Sequence, residues 1–234
     1  MIFRAKLAQG RLIRRYKRFL ADVQLPDGVV TAACPNTGSM MGCCEPGSRV
    51  WLSESDRARR KYRHTWEIVE VGEVMVGINT TLPNALVAEA VASGALAELA
   101  GYAGMRREVS FGEERSRIDL LLEHPERPPC YVEVKNVTAA VSGRVALFPD
   151  SVSERGRKHL RELMRLKRAG LRPVQLYCVQ RGDVGEVRPA DAIDVEYGRT
   201  LREAIAAGVE VMAYRAKVTP SEIRLEERIP VVCP

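Results

Sequence analysis

The hydrophobic pattern of the chain changes once, around Pro83, and that change restricts the fold to two joined architectures. Up to about residue 80 the apolar residues come in short extended runs (19–24, 29–33, 50–52 and 65–76) separated by Gly, Pro and Asp turns, which is the pattern of a small β-barrel. Residues 34–48 hold Pro35, Asn36, Gly38, Gly42, Pro46 and Gly47, so a long irregular loop is expected there. From Pro83 onward the period becomes helical: residues 84–100 are rich in Ala and Leu, begin beside a proline suited to a first helical turn and stop at Gly101. Three strand candidates follow at 107–111, 116–123 and 130–137, the last two joined by a turn-rich connection. A second helix is expected over 152–169, capped by Ser151 or Ser153 and closed by Gly170, then a buried strand at 173–179. A helix at 200–207 and a strand at 209–218 complete the reading. The expectation is a mixed α+β or α/β fold, with a barrel over residues 1–80 and an α/β domain of order α-β-β-β-α-β over 81–234.

One strand carries a chemical signature. In Tyr131-Val132-Glu133-Val134-Lys135 alternate side chains share a face, so a carboxylate and an ammonium are presented together while the valines face the other way. One strand earlier, Asp119 sits between bulky apolar residues, an expensive position for a carboxylate unless something positive compensates it. If the two strands form an antiparallel hairpin, Asp119 and Glu133 can converge on one hard cation, magnesium or manganese. Lys135 could then act on a water attacking a phosphodiester, and Glu89, a polar residue among Ala88, Ala90 and Val91 on the preceding helix, could reach the same site. A solvated sheet face with cross-strand ion pairs is the bland alternative, and a bare E-x-K would favour it. The acid on the preceding strand and the element order shift the balance toward a metal site.

Charge points to an anionic partner. Lys and Arg number 36 against 30 Asp and Glu, and residues 1–20 hold seven cations (Arg4, Lys6, Arg11, Arg14, Arg15, Lys17, Arg18) without one acid. Tyr16 and Phe19 interleave with Arg14, Arg15, Lys17 and Arg18, an arrangement that suits stacking on bases with phosphates held by the cations; a barrel strand with charged outer positions is the alternative. Lys158, Arg161, Arg165 and Arg168 line one face of the second helix, either a phosphate-tracking stripe or a solvated face, while His159 reads as a core histidine beside Leu163 and Leu166. Residues 34–40 could offer amides to an anion or be a plain turn. Charges interrupt every apolar run near the start, and no run is long enough to span a membrane, so a cytoplasmic protein is expected. The six cysteines lack metal-ligand spacing and read as free thiols.

Longer stretches carry a resemblance: Arg11-Leu-Ile-Arg-Arg-Tyr-Lys-Arg-Phe-Leu-Ala-Asp-Val23, Cys34-Pro-Asn-Thr-Gly-Ser-Met40, Arg115-Ser-Arg-Ile-Asp119, Val132-Glu-Val-Lys-Asn136 and Phe148-Pro-Asp-Ser-Val-Ser-Glu-Arg-Gly156, followed by Lys158-His159-Leu160. Nearly end to end, the chain resembles the sugar fermentation stimulation protein family. The resemblance implies an N-terminal OB-like barrel, a C-terminal PD-(D/E)XK nuclease-like domain and DNA binding, with Asp119, Glu133 and Lys135 as the site and Glu89 as a helical contributor. It leaves open whether the site cuts or is kept for binding by a regulator of sugar metabolism. DNA held with low sequence specificity is the expected partner, RNA staying open. The chain departs from the family pattern at Ala33 and Ala85, which puts any role for those two positions in doubt.

Overall fold

The computed structural model describes residues 1–57, 59–111, 116–141 and 144–234. Its first half is one sheet of β1 (Ala8–Tyr16), β2 (Leu20–Leu25), β3 (Gly28–Ala33), β4 (Arg49–Glu54), β5 (His64–Val71) and β6 (Val74–Gly77), ordered β3-β2-β1-β4-β5-β6. The sheet closes where β3 runs parallel to β5 through Ala32↔His64 and Ala33↔Thr65, which makes β1 to β5 an OB-like barrel. Closure removes the open edges and encloses a core of Leu12, Val23, Val50, Leu52, Trp66 and Val69. The strand β1 was not among the extended runs read from the sequence; it is the barrel strand with charged outer positions given as the alternative reading of the basic run, and it buries Gly10 and Leu12. Gly10 is required: a Cβ there would stand 2.6 Å from the Gln24 carbonyl on β2. The stretch expected as one strand at 65–76 is two, turned at Gly72 with φ +61°. Residues 34–48 contain no helix or strand, as expected.

The second half is a six-stranded sheet ordered β15-β14-β12-β9-β8-β7 with helices on both faces. Its strands are β7 (Gly104–Phe111), β8 (Ser116–His124), β9 (Arg127–Val137), β12 (Arg172–Val179), β14 (Glu210–Val218) and β15 (Ile223–Ile229). Helix α1 (Pro83–Ala92) covers one face over Leu120, Leu122, Val132, Val134 and Leu176. Helices α2 (Glu154–Arg168) and α3 (Val195–Ala206) cover the other over Ile118 and Leu121. The sequence overextended α1. The Gly94 backbone takes φ +74° and Ala95 N–H closes back on Ala90 C=O at 2.9 Å, so the helix ends there and a 3-10 turn at Ala97–Leu99 uses the remaining residues. Ser153 caps α2 through Gly156 N–H, and α3 begins at the Asp194 cap, earlier than expected. The chain passes from β9 to β12 through α2 and from β12 to β14 through α3, and these strands pair in parallel. A small sheet of β10 (Ala140–Val141), β11 (Val145–Phe148) and β13 (Glu186–Pro189) and the edge strand β15 had no signal: the first three are very short, and a bulge in β15 at Glu226 breaks its alternation. Among the described residues no helix is long and apolar enough to cross a membrane.

The halves are joined by backbone. Gly77 N–H donates to Gln180 C=O at 2.9 Å and Val76 bridges Arg181, while Ile2 bridges Glu222 and Phe3 N–H donates to Ser221 C=O at 2.9 Å.

Candidate active site

The antiparallel ladder between β8 and β9 runs through Leu122↔Cys130, Leu121↔Tyr131 and Leu120↔Val132 and then stops. One step further Asp119 stands opposite Glu133, and the Asp119 side chain takes the place of a ladder carbonyl: its Oδ2 accepts from Val134 N–H at 2.7 Å. Its Oδ1 accepts from Asn84 Nδ2 at 2.7 Å, and the same amide reaches Glu108 at 3.0 Å. The carboxylate is thus pinned where the two strands part.

Glu133 is only 4 % exposed. Its Oε1 accepts from Lys135 Nζ at 2.7 Å and from His159 Nδ1 on α2, while Lys135 Nζ lies 3.2 Å from that same nitrogen. Arg155 Nε donates to His159 Nε2 at 3.3 Å, which assigns the Nδ1 proton to the Glu133 contact. The two carboxylates are driven apart electrostatically. Burial, and then the Glu133 charge, push the Asp119 carboxyl up to about 6, against the pull of Val134 N–H, Asn84 and Lys135. Burial also raises Glu133, but the Lys135 charge and His159 outweigh it and hold that carboxyl below its ordinary value.

A pH dependence follows. A folded-state value raised to about 6 means that the stability tied to protonated Asp119 is complete below the ordinary range near 3.8 and is lost as pH rises through about 6. Asp119→Asn should therefore melt above wild type at pH 8 in metal-free buffer, by up to about 3 kcal/mol, with the gap vanishing near pH 4. Asn84 can turn its amide to answer the new side chain only by giving up its bond to the exposed Glu108, which trims the gain. Thermal unfolding across this range checks it, and a variant that melts below wild type at pH 8 would refute the strain assigned to Asp119.

Of the residues singled out by sequence, Asp119, Glu133 and Lys135 come together and Glu89 does not. Glu89 is 56 % exposed and accepts from the Met1 amine at 2.6 Å, beside Ile223 on β15. It lies farther along α1, beyond the stretch that packs near Asp119, and the helix sends Asn84 to Asp119 instead. Asn84 and His159 are the site residues that sequence reasoning missed. His159 stood within the Lys158-His159-Leu160 stretch of the resemblance but was read as a core residue.

The basic run is largely committed internally. Arg11 donates to Gly47 C=O at 2.9 Å, and Arg14 binds Asp22 at 2.8 Å while lying over the Tyr16 ring at 4.9 Å. Tyr16 Oη donates to Asp22 at 3.1 Å, and Arg15 is spent on the carbonyls of Arg18, Asn36 and Gly38. Lys17 and Arg18 form the β1–β2 turn at φ 50° and 63°, exposed. On α2, Arg161 and Arg165 are exposed, Arg165 pairing with buried Glu162, and Lys158 is half-buried. Arg115 lies outside the described residues.

The model of the SfsA N-terminal OB domain matches residues 13–78, and that of the sugar fermentation stimulation protein RE domain matches residues 81–222. The chain belongs to the sugar fermentation stimulation protein family. A homolog from Thioalkalivibrio sulfidiphilus is 62 % identical over 99 % of this chain and 98 % of its own length, and one from Geobacter metallireducens is 62 % identical over 97 % of each. The solved structure titled as Pyrococcus furiosus SfsA in complex with Ca2+ superposes with a TM-score of 0.87 at 27 % identity, covering 99 % of this chain and 98 % of that one. The family's two-part fold is the one seen here, an OB-like barrel followed by a PD-(D/E)XK nuclease-like domain.

Proposed function

We propose that this chain is a DNA-binding phosphodiesterase that works with magnesium or manganese and has little sequence preference. The observation that carries the reading is the Asp119–Glu133 pair at the parting of β8 and β9, one carboxyl raised by burial and by the other's charge, with Lys135 Nζ beside them. The donor set fits a hard cation. Asp119 and Glu133 offer carboxylate oxygens with lone pairs to spare, and positive charge between them would relieve the repulsion that raises Asp119. Among the described residues no three His, Cys, Asp or Glu side chains cluster as a ready-made metal site, so substrate and water oxygens would complete the shell. That the Pyrococcus furiosus relative is titled as a calcium complex supports a site for such a cation in this family. A bound cation would polarise the phosphoryl group and stabilise the leaving alkoxide. Lys135 Nζ, held by Glu133, orients the attacking water, and His159 Nδ1–H keeps the Glu133 carboxylate in place beside Lys135.

One observation favours a second reading. Glu133 already accepts from Lys135 and His159, so the site is satisfied without a cation, as it would be in a DNA-binding regulator that keeps the fold for binding only. Incubating the chain with single-stranded and duplex DNA and matched RNA, in magnesium, manganese or EDTA, separates the two. Metal-dependent cutting is expected; retention without cutting under every condition would establish the regulator.

The grip is assigned to the turn at Lys17 and Arg18, whose side chains make no hydrogen bond or ion pair among the described residues, rather than to Arg14 and Arg15, which are held internally. Replacing both with alanine should weaken retention of all sequences alike and lower the salt slope by about 2. An unchanged slope would move the grip elsewhere.

A further inference from the structure

A cleft of about 250 Å³ lies between the barrel loop and the α/β half, and the chemistry above does not use it. Asn36, Thr80, Asn136, Thr138, Phe148 and Asp150 supply its functional lining. Its walls are fixed from behind. Arg15 holds the Asn36 and Gly38 carbonyls at 2.9 Å, and Thr80 Oγ1 donates to Pro35 C=O at 2.7 Å. On the opposite side Gln180 Nε2 donates to Asn136 Oδ1 at 2.7 Å, and Arg181, 5 % exposed, donates to Thr138 C=O at 2.8 Å. Gly38 approaches Asp150 so closely that a Cβ would stand 2.5 Å from its Oδ2.

The lining selects its occupant. Among the described residues no lysine or arginine side chain lines the cleft, and the Asp150 charge repels phosphate. Asp150 Oδ2 accepts from Ser39 Oγ at 3.2 Å and Met40 N–H at 3.3 Å, whereas Oδ1 has no partner among the described residues. Asp150 Oδ1 is a charged acceptor, whereas Asn36 and Asn136 have their oxygens taken by Gly38 N–H at 2.9 Å and Gln180 Nε2 and keep their NH2 groups to donate, so with one aromatic ring the lining complements a flat group that carries an amino donor beside ring or carbonyl acceptors. Position narrows this further, since Asn136 follows Lys135 on β9 and Thr80 lies four residues before Asn84.

We propose that the cleft takes an unpaired nucleobase bearing an exocyclic amino group, from the nucleotide next to the cleaved phosphate. This rests on the nuclease reading and deepens it. A paired base keeps its amino edge in the partner strand, so the substrate is single-stranded, frayed or able to extrude a base.

Free nucleosides test the cleft without phosphate or metal. The full chain, labelled with 15N, is titrated separately with deoxyadenosine, deoxycytidine, deoxyguanosine, thymidine and glucose while the side-chain amide signals of Asn36 and Asn136 are followed. The three amino-bearing nucleosides should shift those signals, with thymidine at least about tenfold weaker, because its one base donor, N3–H, is flanked by two carbonyl oxygens that face the Asp150 charge, a penalty on the scale of one hydrogen bond to a charged group. Asp150→Asn should erase that preference, and Thr37→Phe, at the exposed rim, should block entry even if the Asp150 variant fails to fold. Equal binding of thymidine, binding of glucose alone, no binding by any nucleoside, or undiminished binding to Thr37→Phe would overturn the proposal. Nucleoside binding by a chain that cuts nothing would leave the cleft standing and remove the cutting; cutting without nucleoside binding would do the reverse.

Discussion

Lys135→Ala should cut DNA at least about a hundredfold more slowly than wild type while still holding both cation and DNA. On the proposed reading the lysine acts on the water and the developing charge, and neither proposed cation ligand is removed with it. Asp119→Ala or Glu133→Ala should abolish cleavage outright, because each removes one of the two carboxylates available to the cation. A structural control is needed, since Lys135 also neutralises a carboxylate that is 4 % exposed. Removing one partner of such a pair can cost about 3–5 kcal/mol, so the variant's unfolding must be followed beside its turnover. Lys135→Arg keeps the charge and should restore stability more fully than rate, because a planar fork cannot reproduce the point contact of an ammonium. If wild type and Lys135→Ala cut at equal rates, the activity belongs to a contaminant and the assignment fails.

Trp66→Ala should cost about 3–5 kcal/mol of stability, the largest single loss expected in the barrel. The ring is fully buried on β5 among Leu12, Val50, Leu52 and Val69, and its Nε1 donates to Ile68 C=O at 3.0 Å. Truncation leaves both a cavity and an unanswered buried carbonyl. Trp66→Phe keeps most of the volume and should recover more than half of the loss. Denaturant titration measures both, and a loss below about 1 kcal/mol for alanine would show a barrel core that collapses around the gap.

The parts of this fold that were legible in the chain are those where pattern and geometry coincide. Alternation in residues 131–135 placed Glu133 and Lys135 on one face, and turn-rich residues at 124–129 announced the hairpin that brings Asp119 near them. That Asp119 approaches Glu133 was read from the hairpin; that its carboxylate accepts from Val134 N–H where the ladder opens was not, because no two-residue period describes that. Charge misled in two ways. Arg14 and Arg15 looked like phosphate contacts, yet their partners, Asp22 and the carbonyls of the 34–48 loop, are met only through folding. Glu89 looked out of place among alanines, but the helix turns it to the β15 side. His159 shares its half-buried face of α2 with core residues, so only its spatial neighbours, Glu133 and Lys135, separate it from a packing histidine.

The double seam between the halves has a mechanical meaning. Backbone bonds join Gly77 to Gln180 and Phe3 to Ser221, so the barrel is stitched to the larger sheet at two places and does not swing on a tether. If the proposed roles hold, the turn at Lys17 and Arg18 and the carboxylates at Asp119 and Glu133 are the two jaws of a rigid caliper. On the proposed reading, the stretch of nucleic acid between grip and cut is a length built into the fold, and an oligonucleotide too short to span the jaws meets one site or the other, never both.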